Sequence, residues 1–292
     1  MIELHNISKS YASTGRSRPA VQGVSLTIRP GEFLALVGPN GSGKSTLLGI
    51  LAGTLAPDHG EIIGRPRVSV VLQTVALDPL LTIRENATIF ARVFGVPGDE
   101  IDQRFESLAR IATLSDRADD RVGSLSGGLA RRADILRAAM TRPELLLLDE
   151  PTSGLDRTSQ AAVFEMLESL RKDHRVAIVL ATHLLSEAES ADRVLLLRQG
   201  RIIREGSAES FVAELGFSHV LHVTAGDAEA VDLPDAVKYA RGGEVFFGDS
   251  SEAIRTEADR LFEQDIPVAT RAANLADVYD IEFSSHTSEV SA

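Results

Sequence analysis

The chain has 292 residues, 43% of them hydrophobic, carries no cysteine and bears a formal net charge of −12. Enough apolar material for a full core excludes a chain that is disordered as a whole, and the lack of cysteine excludes a disulfide framework or a zinc–thiolate site. Residues 1–205 hold 25 basic and 25 acidic side chains while residues 206–292 hold 5 and 17, so the acidic last third would repel phosphate backbones and anionic headgroups, which excludes nucleic acid as its partner.

In chain order, Val24, Leu26 and Ile28 alternate and lead into the continuous apolar run Phe33–Val37, the pattern of edge strands followed by a buried one. Ser45 to Ala52 follows as a helix that Gly53 ends. Residues 74–124 read as mostly helical, with Ile101, Phe105, Leu108 and Ala112 at helical spacing and Asp99 as the expected N-cap. Leu145–Leu148 is a short buried strand, Ser159–Lys172 a helix with Val163, Met166, Leu167 and Leu170 on one face, and Val176–Ala181 another strand, together a βαβ unit. Gln199-Gly200 marks a hairpin turn, and the domain boundary is expected at Glu205-Gly206. Residues 206–283 read as a small α/β unit: strands near His219–Thr224, Glu244–Phe247 and Ile266–Thr270, and helices near Ser251–Phe262 and Asn274–Asp280. Residues 284–292 read as a disordered tail. The first residues lack the charged-then-apolar pattern of a signal peptide, and no apolar run approaches the roughly 18–20 residues of a membrane helix. A cytoplasmic location is expected, and any part in transport would require a separate membrane protein.

Gly38-Pro39-Asn40-Gly41-Ser42-Gly43-Lys44-Ser45 fits G-x-x-x-x-G-K-[ST], after a buried strand and before a helix, the context that a phosphate-binding loop requires. Its glycines let backbone N–H groups wrap phosphates, and the following helix adds the positive end of its dipole. Lys44 supplies a point charge for the β- and γ-phosphates, and the Ser45 hydroxyl suits Mg²⁺. Only four of the thirty basic residues are lysines, so a lysine here is a poor filler. The strand Leu145–Leu148 ends in Asp149-Glu150, and Ala177–Thr182 ends in His183. Open α/β sheets bind ligands beyond the carboxyl ends of their strands. Asp149 is then placed to hold Mg²⁺ through water, Glu150 to orient or deprotonate the attacking water, and His183 to contact the γ-phosphate.

With Leu125-Ser126-Gly127-Gly128-Leu129 between these elements, residues 1–205 resemble the ATPase subunits of ABC transporters. The resemblance implies a P-loop cassette with a mixed sheet core, an antiparallel edge and a helical subdomain at about 74–140, followed by a small C-terminal α/β domain. It implies that Tyr11 stacks on adenine, that Thr46 joins the phosphate loop, that Gln73 links the metal site to the helical subdomain, and that Ser153-Gly154-Leu155-Asp156, through Asp156, contacts the partner subunit. Ser126 can also cap the next helix, making its glycine-rich start a second anion site. In the family that site, Ser126, Gly127 and Gly128, serves in trans on the ATP held by the other subunit. The expected partners are therefore a second copy or a homologous ATPase and separate transmembrane permease subunits. The protein would work peripherally on the cytoplasmic face of the membrane with ATP and Mg²⁺ as ligands. Leu129 and Arg157 depart from the family's usual Gln and Pro. The segment from Gln73 through Asn86 to Phe94-Gly95, and the end Leu275–Tyr279, resemble type-two exporters. The alternative is a soluble ABC ATPase acting on ribosomes or DNA, which usually carries two cassettes, coiled-coil insertions, zinc cysteines or basic linkers; this sequence has none.

Overall fold

The structure, a computed structural model, describes residues 1–13, 16–241 and 243–284. The chain parts into two compact units, one spanning Met1–Glu205 and the other beginning at Gly206.

The first unit runs β1 (Ile2–Ser13), β2 (Arg16–Ile28), β3 (Phe33–Val37), α1 (Lys44–Leu51), β4 (His59–Ile63), β5 (Val68–Val71), α2 (Ile83–Val93), α3 (Gly98–Ile111), α4 (Gly127–Ala139), β6 (Leu145–Asp149), α5 (Arg157–His174), β7 (Ala177–Thr182), α6 (Leu185–Ala188), β8 (Arg193–Arg198) and β9 (Arg201–Gly206). β1 pairs antiparallel with β2 and β4 in a three-stranded sheet. The second sheet has six strands in the order β5-β6-β7-β3-β8-β9, with β5, β6, β7, β3 and β8 mutually parallel. Its central strands are buried on both faces, which is why they read as unbroken apolar runs such as Leu145–Leu148. Leu34, Leu36, Leu147 and Val179 of this sheet pack in one core with Leu4, Ile7 and Leu26 of the antiparallel sheet and Leu47 and Ile50 of α1. Gln199 and Gly200, at φ 50° and 79°, make the turn from β8 into β9.

Several expectations are corrected. α3 begins at Gly98 with Pro97 at its N-cap, and Asp99 lies inside the first turn, where its charge favours the helix dipole without capping it. α2 carries the stronger start signal, a capping box between Thr82 and Glu85. α5 extends to Arg157–His174, with Asp156 capping it through Ser159 N.

The second unit contains α7 (Ala208–Ala213), β10 (His219–Thr224), β11 (Val237–Arg241), β12 (Glu244–Asp249), α8 (Ser251–Glu263), β13 (Ala269–Ala272) and α9 (Leu275–Ser284). Its antiparallel sheet has the order β11-β12-β10-β13. Strand alternation sorts the side chains: Leu221, Val223 and Phe247 pack with Ile254 and Leu261 of α8, whereas Val220, Tyr239 and Phe246 pack with Ile281 of α9. The strand expected at Ile266–Thr270 is displaced to Ala269–Ala272, because Ile266 and Val268 join the α8 core before pairing begins. The final helix runs through Ser284; the remainder of the expected tail, 285–292, lies outside the described residues.

Candidate active site

The phosphate loop joins the carboxyl end of β3 to α1. Lys44 is the first residue of α1 and is buried, with its Nζ donating to the carbonyl oxygens of Gly38 at 2.7 Å and Pro39 at 3.3 Å. Burial lowers its pKa, while the charges of Glu150 and Asp149 pull the other way. Ser42 Oγ is buried without a hydrogen-bond partner, an orphan that an anionic oxygen would satisfy. Gly43 has φ 111°, and a Cβ there would strike the Ala20 carbonyl oxygen, so the loop closes only with glycine at this position. Tyr11, Arg18, Asn40, Lys44, Thr46 and Glu150 are among the residues around the resulting cleft of about 450 Å³. Tyr11 is 46% exposed, and its hydroxyl lies 3.4 Å from Thr46 Oγ1.

Across the loop, Ser45 hydrogen-bonds Asp149. Burial raises the Asp149 pKa, the Ser45 bond opposes the rise, and the Glu150 charge adds to it. Glu150 has φ 47°, a left-handed conformation costing about 1–3 kcal/mol for such a residue. Its N–H donates to Ala181 O at 2.9 Å, tying the strained turn to β7. The Glu150 carboxylate then sits between two other side chains: Oε1 is 2.9 Å from His183 Nδ1, and Gln73 Nε2 donates to Oε2 at 3.2 Å. Three segments far apart in sequence thus meet at one carboxylate.

Ser126 caps α4, its Oγ accepting from Leu129 N at 3.4 Å. A Cβ on Gly128 would collide with Ser159 Oγ, and Ser159 donates from N and Oγ to Asp156 at 2.9 and 2.7 Å. The glycine-rich helix start and the Asp156 loop therefore form one surface. Ser126, Gly127 and Gly128 are not among the residues lining the phosphate-loop cleft.

The family model described as "ABC transporter" matches residues 21–153. Over 95% of its length the chain is 35% identical to the "Nod factor export ATP-binding protein I" of Rhizobium meliloti (strain 1021), covering 86% of that protein. It belongs to the ABC transporter ATP-binding family. This ABC ATPase is equally similar, at 35% identity, to the protein of the same name from Paraburkholderia xenovorans (strain LB400), with 95% of each chain covered. Among solved structures, a dimeric post-hydrolysis ATP-binding cassette, MJ0796 bound to ADP and Pi, is 30% identical with a TM-score of 0.63, covering 71% of this chain and 98% of that one. The cbiO1 subunit of Clostridium perfringens, part of the ABC transporter complex cbiONQ, is 26% identical with a TM-score of 0.67 over 73% of this chain and 90% of its own. These relatives favour transport over the ribosome or DNA reading.

Two groups of supporting residues in this ABC ATPase escaped the sequence. Arg131 of α4 is buried and donates to the backbone carbonyls of Leu72, at 2.6 Å, and Gln73, and it is held by Asp134 at 3.6 Å. The helix that begins at Ser126 thereby grips the segment that presents Gln73. Behind His183, buried Glu187 accepts from Thr152 and Thr182, and burial raises its pKa. The i, i+3 spacing of Arg131 and Asp134 was visible, but nothing local told that their face is buried. Arg18 at the cleft had no sequence signal at all.

Proposed function

We propose that this ATPase powers an exporter as half of a dimer, each phosphate loop facing the Ser126–Gly128 helix start of the other subunit. The observation that carries this reading is the separation of two anion-binding helix starts on one chain, of which only Lys44–Ser45 lines the cleft. A head-to-tail pair brings each into use at once. The partner is a second copy or a homologous ATPase.

ATP is the substrate. Tyr11 stacks on its base, and the loop Gly38–Thr46 holds its phosphates. Ser45, Asp149 and Gln73 supply hydroxyl, carboxylate and amide oxygens for Mg²⁺, a hard-donor set that fits a cation completed by substrate phosphates. Bound there, Mg²⁺ neutralises charge on the phosphates. Glu150 orients or deprotonates the attacking water, Gln73 and His183 hold its carboxylate, and His183 reaches the γ-phosphate when it is present.

The export direction is supported by the relatives named for Nod factor export, whose likeness extends over 95% of the chain, whereas MJ0796 and cbiO1 cover 71% and 73%. Among the described residues no helix is long and apolar enough to cross a membrane. In the proposed assembly the spanning subunits are separate chains and this one acts at the cytoplasmic face. Leu72, Leu80, Ile89, Val93 and Phe94, all at least half exposed, form an apolar set following and flanking the Gln73 segment that suits a permease loop. The small domain from Gly206 on serves this assembly as an accessory. Light scattering of the Glu150→Gln chain with and without ATP tests the proposal: an ATP-dependent dimer is expected, and a monomer at saturating ATP would overturn it.

A further inference from the structure

A concavity of about 750 Å³ in the first unit lies at the opposite edge of the parallel sheet from the phosphate loop, where β3, β5, β6 and β7 begin. Arg29, Arg65, Arg67, Arg104, Arg142 and Arg175 line it, against the single carboxylate of Glu144. Arg142 is neutralised by Glu100. Arg104 reaches no carboxylate and donates to the Met140 carbonyl at 2.7 Å and to that of Ala139. The side chains of Arg29, Arg65, Arg67 and Arg175 have neither an ion pair nor a hydrogen bond among the described residues. Helix-end electrostatics explain only part of this. Arg104 and Arg175 cover the negative C-terminal ends of α4 and α5. Arg29, Arg65 and Arg67 sit on strand connections, where no dipole calls for a cation.

Like charges gathered in one concavity are costly unless an anion joins them, and in a chain of net charge −12 they are not a by-product of a basic surface. The crowding registers on Arg104, whose pKa is lowered to about 10 by burial and then by the Arg67 charge. The volume falls within the ~300–1,000 Å³ of small-molecule sites, and guanidinium forks match phosphate oxygens in pairs. We propose that this arginine-lined cavity binds a soluble anion carrying two or more linked phosphates, separately from the ATP site. Strand β3 sets five residues, about 16 Å, between the two edges, so one ligand does not fill both.

Inorganic tripolyphosphate is the probe, titrated calorimetrically into the full chain carrying Lys44→Ala to weaken the phosphate loop. Saturable binding is expected, weakened at least tenfold by Arg65→Glu with Arg67→Glu, and weakened also by Arg29→Glu alone. These side chains are exposed and unbonded, so the variants should melt within a few degrees of the parent. Should the double variant fail to fold, the Arg29→Glu arm still reads the site. Absence of saturable binding, or binding indifferent to the reversals, overturns the proposal. So does sedimentation with phosphatidic acid vesicles in place of tripolyphosphate binding, since the cavity would then serve a lipid surface.

Discussion

The two edges of the parallel sheet are built from the same strands and do opposite things with charge. At the carboxyl edge charges of both signs lie together: Lys44 feels the charges of Glu150 and Asp149, and Glu150 is bonded by Gln73 and His183. At the amino edge charge of one sign accumulates around one cavity, where the side chains of Arg29, Arg65, Arg67 and Arg175 have no ion pair among the described residues. The first edge resembles a site arranged for a reaction, in which each group is held by another so that little reorganisation remains at the chemical step. The second resembles a site waiting for counter-charge. The two edges differ in pairing more than in charge density: Glu150 at the carboxyl edge is bonded by Gln73 and His183, whereas the arginine side chains of the amino edge mostly lack a carboxylate partner among the described residues.

Substitutions on each side sharpen this contrast. The largest effect is expected from Glu150→Gln, which should cut ATP turnover by about 10²–10⁴-fold while ATP binding, read by equilibrium dialysis, survives. Near-normal turnover would remove Glu150 from its role. Arg131→Ala strips buried Asp134 of one partner and frees the Gln73 backbone, so chemical denaturation should show a loss of about 3 kcal/mol together with slowed hydrolysis. Lys44→Ala should weaken ATP binding by about 1.5–3 kcal/mol, a tenfold to hundredfold rise in Kd.

At the amino edge, Arg104→Ala uncovers two carbonyls at the end of α4 and should cost about 1–2 kcal/mol of stability, with turnover per folded molecule at saturating ATP unchanged within twofold. A large fall in turnover would mean that the edges are coupled. Smallest is Arg171→Ala. Arg171 bonds Glu168 and, with Lys172, holds its pKa down to about 2, and it also joins α5 to Asp192 beside β8. Because the folded value lies below the unfolded one, this contribution is present above the ordinary carboxylate range and is lost as pH falls toward 2. The pair is partly exposed, so the melting difference from the parent should be under about 1 kcal/mol at pH 7 and vanish near pH 2.

The phosphate loop was legible because its requirements are local: Gly43 must adopt a backbone that excludes a side chain, and Lys44-Ser45 must open a helix after a buried strand. The run Leu145–Leu148 and the pair Asp149-Glu150 were legible for the same reason, since a strand end points toward a predictable side of an α/β sheet. The cap at Asp99 failed because Pro97, with its fixed φ, stops the preceding chain and starts the helix two residues earlier than side-chain chemistry suggested. The β13 strand slid because Ile266 and Val268 have a core to fill before any partner strand begins, and only the packing of α8 reveals that core.

Sequence alone determined the family, the ATP chemistry and the candidate groups Lys44, Asp149, Glu150 and His183, because glycine geometry and strand-end position are properties of a few consecutive residues. Tertiary structure alone decided that Gln73 and His183 converge on opposite oxygens of Glu150, that Arg131 grips the Gln73 backbone, and that arginines from separate connections surround one cavity. Those facts depend on side chains separated by tens of residues meeting in space, and no local pattern records a distance across a sheet.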